Sequence, residues 1–371
     1  MRLHVLTSSR ADYGIYTPVL KALLEDEFIH VVLVAFGSHF SPNHGESIRA
    51  IRAGWNGELI ELNTHIPGDQ PREISMNISA TISSFTEYWQ TIGSREDNIV
   101  LCLGDRHEMM AAIVSSIPYQ LKVAHLYGGE STQGSLDDIH RDIISRIACL
   151  HFTSHKKAAE NIQRIKPKDT VINIGSISLI GLTESAHISR EQLASEFGLK
   201  LQKPWILFTM HPDISDSNTI KRDLAEVEKA LRNLEEFEII AGLPNDDANN
   251  SRIIEMLTAL ADLDHIYLTK NLGRIRYFSF LKASQLCLGN SSSGILEAAA
   301  FNLRSVNIGN RQLGRMRNNN VIDVGMNSGQ IIEATRQATH EGTYTGNDIY
   351  APIQNCENVL IEAIKKEYNR K

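Results

Sequence analysis

Residues 286–300 read Leu286-Cys287-Leu288-Gly289-Asn290-Ser291-Ser292-Ser293-Gly294-Ile295-Leu296-Glu297-Ala298-Ala299-Ala300. A short apolar run, a serine-rich turn and an alanine-containing stretch predict a strand, a tight turn and a helix. Ser292 or Ser293 is placed to cap that helix, where free N–H groups and the positive end of the macrodipole favour an anion. Gly294 leaves room for a diphosphate against the backbone. Glu297, one turn on, can accept two hydrogen bonds from a ribose diol. An ordinary capped helix with a glutamate favourable to its dipole accounts for the same residues, and the local pattern leaves both readings open.

The same alternation extends outward through the chain, the pattern of βαβ units in parallel sheets. Upstream, strands are expected at Leu3-Leu6, His30-Ala35, Ile99-Leu103, Lys122-Leu126 and Cys149-Thr153. Downstream they fall at Trp205-Thr209, Glu238-Gly242, His265-Leu268, Gln285-Gly289 and Arg304-Ile308. Polar or glycine-bearing turns follow most of them, including Pro244-Asn245-Asp246 and Asn271-Leu272-Gly273, and Asp213–Asn218 and Asp246–Ser251 read as polar loops. The expected architecture is α/β, with two Rossmann-like doubly wound domains facing a central cleft. Residues 1–178 form an N-terminal domain, 179–353 a C-terminal domain, and 354–371 a last helix covering a flank, with a hinge within Gly175-Gly181. Ser189 to Gly198 reads as a capped surface helix. Ligands of open parallel sheets bind beyond the carboxyl ends of the strands, where nearly every polar cluster falls.

Composition narrows the function. The 371 residues carry 37 Lys+Arg against 44 Asp+Glu, a net charge of −7, which argues against a nonspecific nucleic-acid binder. No apolar run approaches the roughly 20 residues of a membrane span, and the N-terminus turns polar at Thr7, too early for a signal peptide. The four cysteines, Cys102, Cys149, Cys287 and Cys356, are scattered and form no CxxC pair. These features predict a cytoplasmic protein with reduced thiols, no nucleic-acid partner and no membrane partner. No metal-ligand spacing is present, so no metal is expected. GxSxG, GxxxxGK[ST] and GxGxxG are also absent.

Acidic residues cluster after two upstream strands. Asp105 follows one in Gly104-Asp105-Arg106-His107-Glu108, and Glu130 follows the next in Gly128-Gly129-Glu130. Neighbouring strands lie about 4.8 Å apart, so both carboxylates can reach one cavity. Asp137-Asp138 and Asp142 open the following helix, and Asp138 and Asp142, four apart, share a face. Paired carboxylates driven to different pKa values can divide acid and base duties, while a structural hydrogen bond or helix N-terminal charge is the plain alternative. Arg10 with Ser8 and Ser9, and Arg311, Gln312 and Arg315, are candidate anion contacts. Most of the 14 histidines are bland, His4, His30 and His265 reading as packing residues. His211, before Pro212 at a strand end, is better placed to act, with His107, His125 and His140 as supporting residues.

Taken in order, Ser9-Arg10-Ala11-Asp12-Tyr13-Gly14, Gly104-Asp105-Arg106, Gly128-Gly129-Glu130 with Asp137-Asp138, His211-Pro212, Pro244-Asn245, Gly289 to Gly294 with Glu297, and Arg311-Gln312 resemble the hydrolysing UDP-N-acetylglucosamine 2-epimerases. The resemblance covers about residues 3–350. The Arg-Ala-Asp-Tyr-Gly stretch favours this branch over the non-hydrolysing one, which usually carries Arg-Pro-Glu. It implies a fold similar to GT-B glycosyltransferases, a UDP-sugar substrate, no redox cofactor, and a homodimer or homotetramer. By the same resemblance Asp105 and Glu130 match catalytic carboxylates. Ser291, Ser292 and Glu297 match residues holding diphosphate and ribose, and Arg10, Arg106, His211 and Arg311 match diphosphate or sugar contacts. Asp138, Asp142 and His211 complete the candidate catalytic set, and Ser293 and Gly294 the candidate substrate-binding set.

The implied chemistry is loss of UDP, removal of the C2 proton to give a glycal, and return of a proton to the opposite face as water adds at C1. The product would be a free N-acetylmannosamine-type sugar for sialic-acid-like synthesis. Two positions depart from the family pattern: Ile15 stands where lysine is common, and Asp142 where the family places a functional histidine. These departures keep three alternatives open: the same reaction on a diacetamido-trideoxy UDP- or GDP-sugar, a GT-B glycosyltransferase, and a catalytically weakened nucleotide-sugar binding protein.

Overall fold

β-Branched and aliphatic runs that are apolar on both sides can be buried only in a sheet covered on both faces, and the chain builds two such sheets. The computed structural model describes all residues except 43–45, 69, 93–94, 132–135, 213–219, 245–249, 271 and 371. The polar loop at 213–218, Asn245 with most of the 246–251 loop, and Asn271 lie outside the described residues.

The first sheet holds β1 (Arg2–Thr7), β2 (His30–Phe36), β3 (Glu58–Leu62), β4 (Asn98–Leu103), β5 (Lys122–Leu126), β6 (Leu150–Thr153) and β7 (Thr170–Asn173). Its order is β3-β2-β1-β4-β5-β6-β7, with every pairing parallel. The second holds β8 (Trp205–Thr209), β9 (Glu238–Gly242), β10 (Ile266–Thr269), β11 (Leu286–Gly289), β12 (Arg304–Ile308) and β13 (Val321–Val324), in the order β10-β9-β8-β11-β12-β13, again parallel. The ten expected strands are all present, four with the expected ends and six with one or both ends shifted by one residue. The three that the sequence did not reveal, β3, β7 and β13, are four- or five-residue edge strands with half-exposed side chains. The fold class is the expected one.

Alternation along β1 shows how the faces are filled. Leu3 and Val5 join Leu20, Leu23, Leu360, Ile361 and Ile364 on one face. Leu6 joins Val32, Val34, Phe85 and Trp89 on the other. In the second unit Ile206, Phe208, Ile239, Leu257, Leu288 and Val306 form the corresponding core. His4 is buried between the Tyr88 hydroxyl (2.6 Å) and Asn98 (2.7 Å), whereas His30 is exposed and pairs with Glu58 at 2.6 Å. The capped helix before Gly198 spans Arg190–Phe197, with a reciprocal Ser189–Gln192 capping box.

The chain divides into Met1–Ile180 with Tyr350–Lys371, and Gly181–Ile349. Residues 350–353, expected in the second domain, belong to the first because Ser176 N–H donates to the Tyr350 carbonyl (2.8 Å) and Ile353 N–H to that of Ile174 (3.0 Å). The final helix, Cys356–Tyr368, is pinned at its carboxyl end. Lys122 Nζ donates to the carbonyls of Glu367 (2.7 Å), Tyr368 (3.1 Å) and Arg370 (2.6 Å), satisfying groups with no intrahelical partner. Lys122→Met keeps the aliphatic stem and removes these bonds. It is expected to lower unfolding stability by about 1–3 kcal/mol, read as an earlier urea midpoint, and an unmoved midpoint would refute the capping role.

Candidate active site

In the first sheet the strand order reverses between β1 and β4, and in the second between β8 and β11. Such switch points open a crevice at the carboxyl ends of the strands. The chemistry-bearing residues follow these four strands and their neighbours β5 and β12.

After β1, Ser9 caps the helix Arg10–Leu24 by accepting from Asp12 N–H at 3.2 Å. Ser8 donates to the buried Asp12 carboxylate through its N–H (3.0 Å) and hydroxyl (2.7 Å). Burial nevertheless raises the Asp12 pKa above the ordinary carboxylate value. Arg10 is exposed on the first turn. After β4, the half-exposed Arg106 donates through Nε (3.3 Å) and Nη2 (3.1 Å) to Glu108. Burial opposes ionisation of Glu108, but Arg106 and His107 hold its pKa below the ordinary value.

The centre of the first site is Arg141, on the helix Asp137–Ile147, with a side chain only 3% exposed. Its Nη2 donates to Asp105 Oδ2, and its Nη1 to Asp138 Oδ1 (2.5 Å) and the Glu130 carbonyl (2.9 Å). One guanidinium therefore gathers Asp105, Asp138 and the Glu130 loop. Ser131 donates to Asp138 Oδ2 at 3.0 Å, and Ser154, just past β6, donates to Glu130 Oε1. Burial raises the Asp105 pKa, the charges of Asp137 and Glu130 push the same way, and Arg141 opposes them. The result is a carboxyl group nearer to sharing its proton at neutral pH, the property an acid/base residue requires.

Two histidines frame this centre. His140 Nδ1 donates to the Asp105 carbonyl at 3.2 Å, and its ring stands edge-on to that of His107 at 6.4 Å. Beneath them His125 Nε2 donates to the Gly104 carbonyl at 2.8 Å, which leaves Nδ1 to accept from Ser145 (3.1 Å). Burial drives the His125 pKa down to about 3, so it is a neutral strut under Asp105.

Asp142 stands apart from this group. It is exposed, and no side-chain hydrogen bond or ion pair joins it to another of the described residues. At about 100° per residue, Arg141 lies about 60° to one side of Asp138 and Asp142 about 40° to the other. The inward side is taken by the arginine, so the shared face of Asp138 and Asp142 does not become a shared site. Arg141 matches the arginine of the family's Arg-His pair but was not among the candidate site residues; its place three residues after Asp138 on an amphipathic helix was the available signal.

In the second site, after β8 and β11, Asn290 is the hub. It is fully buried, accepts from His211 N–H (2.7 Å) and donates to the His211 carbonyl (2.8 Å). Its own carbonyl accepts from Arg311 Nη1 (3.2 Å) and Gln312 Nε2 (3.0 Å). His211 and Arg311, distant in sequence, are thus tied to the serine turn. Gly289, at φ 132°, permits this closeness, since a Cβ there would lie 1.9 Å from the Thr209 carbonyl oxygen. The sequence did not single out Asn290.

The turn differs in detail from expectation. The helix is only Ser293–Leu296, followed by a separate 3₁₀ turn at Ala298–Phe301. Ser292 makes no capping bond; Ser291 Oγ instead accepts from Ser293 N–H at 3.4 Å. Gly294 does not face a ligand space on its Cβ side, where a methyl would lie 2.5 Å from Ser305 Oγ, so close packing of turn on strand requires the glycine. Ser293 Oγ donates to Glu297 Oε2. Burial raises the Glu297 pKa, against the effects of Ser293 and the Arg274 charge.

Among the described residues no His/Cys/Asp/Glu group is arranged to hold a metal ion, and no helix is long and apolar enough to cross a membrane.

Known proteins share this arrangement of the chain. Residues 21–361 match the family described as UDP-N-acetylglucosamine 2-epimerase. The UDP-N,N′-diacetylbacillosamine 2-epimerase (hydrolyzing) of Legionella pneumophila is 31% identical over 353 residues, 95% of this chain and 92% of that one. The GDP/UDP-N,N′-diacetylbacillosamine 2-epimerase (hydrolyzing) of Campylobacter jejuni is 27% identical over 333 residues, 88% and 85% of the two chains. In fold, the crystal structure of UDP-GlcNAc 2-epimerase from Neisseria meningitidis bound to UDP-GlcNAc superimposes with a TM-score of 0.80 at 17% identity, covering 99% of this chain and 100% of that one. With two GT-B-like parallel-sheet units and a family match over nearly its whole length, the chain belongs to the UDP-N-acetylglucosamine 2-epimerase family and is an enzyme, a hydrolysing nucleotide-sugar 2-epimerase.

Proposed function

We propose that the chain releases UDP from a UDP-linked acetamido hexose and returns the free sugar inverted at C2, and that this sugar is of the diacetamido-trideoxy type. The observation that carries the reaction is the Arg141 centre, which gathers Asp105, Asp138 and the Glu130 loop at the strand ends. The choice of sugar is supported by the two relatives named for diacetylbacillosamine, at 31% and 27% identity.

The C2 hydrogen of an acetamido sugar is not acidic until the C1–O bond to UDP weakens. Ser291, Ser292 and Arg311 take up charge developing on the departing diphosphate, with Arg10, Arg106 and His211 as further diphosphate or sugar contacts. Glu297 accepts the ribose hydroxyls. As C1 becomes oxocarbenium-like, one carboxylate of the Asp105–Glu130 pair removes the C2 proton and the C2–H electrons form the glycal double bond. Water then adds its oxygen at C1 while a proton returns to C2 from the opposite face. The sum is UDP-sugar plus water giving UDP and the 2-epimer. Asp105, with its raised pKa and the Arg141 contact, is suited to exchange a proton in both directions.

An NMR time course in heavy water tests this, with UDP-N,N′-diacetylbacillosamine and UDP-N-acetylglucosamine as parallel substrates. The expected result is UDP release matched by deuterium at C2, faster with the diacetamido sugar. UDP release with protonated C2 would indicate hydrolysis or transfer without epimerisation, and preference for UDP-N-acetylglucosamine would overturn the sugar assignment.

A further inference from the structure

A chain of hydroxyls lies beneath the serine turn of the second unit. Tyr277, from the helix Gly273–Ala283, donates its phenol proton to Ser293 Oγ at 2.6 Å, and Ser293 Oγ donates to Glu297 Oε2. Thr209, the last residue of β8, hydrogen-bonds the same phenol oxygen. The three hydroxyls therefore connect the ends of β8 and β11 to a single carboxylate.

The direction of the chain matters. A serine hydroxyl carries one proton, and near a helix start it can be turned towards a backbone carbonyl instead of a side chain. Because the phenol proton occupies an Oγ lone pair, the Ser293 proton is left for Glu297. Each bond polarises the next, and the chain ends on a charged acceptor, where such bonds are strongest. The groups facing Glu297 are few. Cys287 is a thiol whose pKa burial pushes to about 12, so it adds no charge, and the Arg274 guanidinium sits over the Phe278 ring at 4.9 Å. Ser293 then directs its hydrogen bond at this part-buried carboxylate, and Tyr277 acts on it through Ser293.

We propose that Tyr277 is a positioning residue for nucleotide binding, holding the Glu297 carboxylate through Ser293 in the orientation that accepts the ribose hydroxyls. This rests on the reading of Glu297 as the ribose acceptor. Loss of the phenol hydroxyl frees the Ser293 proton to turn away. Glu297, already pushed towards its neutral form by burial, then holds its proton more tightly.

The test is calorimetric titration of UDP into the full-length protein between pH 6 and 9, for the wild type, Tyr277→Phe, Glu297→Ala and the double variant. Tyr277→Phe is expected to bind UDP about three- to tenfold more weakly at the acid end and to recover towards wild-type affinity as pH rises. Titration of the UDP phosphate is common to all variants and cancels in the ratios. In the Glu297→Ala background the tyrosine change is expected to add nothing further. A pH-independent loss, or one that persists without Glu297, would mean that Tyr277 acts only through packing and would overturn the proposal. If Glu297→Ala alone leaves UDP affinity unchanged, the ribose reading itself fails. Ser293→Ala breaks the same chain without touching the aromatic ring and carries the same expectation should Tyr277→Phe fold poorly.

Discussion

Asp105→Asn is expected to lower turnover by about a hundred- to ten-thousandfold while UDP binds with nearly native affinity. General acid/base groups contribute on the order of 10²–10⁴ in rate, and an amide of the same shape keeps the packing but cannot take up a proton. Asp105 is held on three sides: Arg141 on its carboxylate, His140 on its carbonyl, and His125 on the carbonyl of Gly104 before it. The substitution therefore changes chemistry with little effect on geometry. Steady-state rates and UDP titration on the same preparation check this. A variant with wild-type turnover would remove Asp105 from the mechanism, and one that also lost UDP would point to a binding role instead.

Arg141→Met is expected to be the most damaging single change to stability, about 3–5 kcal/mol, because it leaves Asp105 and Asp138 without their common cation in a largely buried setting. Replacing only the charged partner is worse than replacing a whole ion pair, since carboxylates remain to be desolvated. The sign of the pH dependence follows. Without Arg141 the folded-state pKa of Asp105, already raised by burial, rises further above its unfolded value, so the folded state binds that proton more tightly. Relative to the wild type, the variant's deficit should shrink as pH falls through that raised Asp105 value and be largest at alkaline pH. Urea unfolding at pH 8 and pH 5.5 measures both quantities. Equal midpoints for variant and wild type would show that the guanidinium does not hold the centre together, and Arg141→Lys, keeping a charge but losing the fork, should fall between them.

Central strands were legible because they are buried on both faces and read as unbroken apolar runs, as in Val31-Val32-Leu33-Val34 or Trp205-Ile206-Leu207-Phe208. Three of the four edge strands, β3, β7 and β13, were not: β3, Glu58-Leu59-Ile60-Glu61-Leu62, is half solvated and its alternation is too short to separate from loop. Candidate site residues were legible where a chemically distinctive side chain follows a strand directly, as Asp105 and Glu130 do.

Other features depended on contacts between segments far apart in the chain. Arg141 carried no candidate role until the helix turned it inward and left Asp142 outside. Asn290 looked like one polar turn residue until β8 and β11 brought the His211 backbone beside it. The Cβ side of Gly294 faces Ser305 on the neighbouring strand, a contact that no local pattern shows.

By itself the sequence determined the α/β class, ten of the strands, every inner one among them, and the positions of the acids and serines after them. Those follow from local periodicity and from residues adjacent in the chain. Strand order, and with it the two switch points, the inward side of the Asp137–Ile147 helix and the partners of each carboxylate, were decided only in the tertiary structure. A side chain's environment is set by whichever segments pack against it, and for Asp105 the nearest charge comes from a residue 36 positions away.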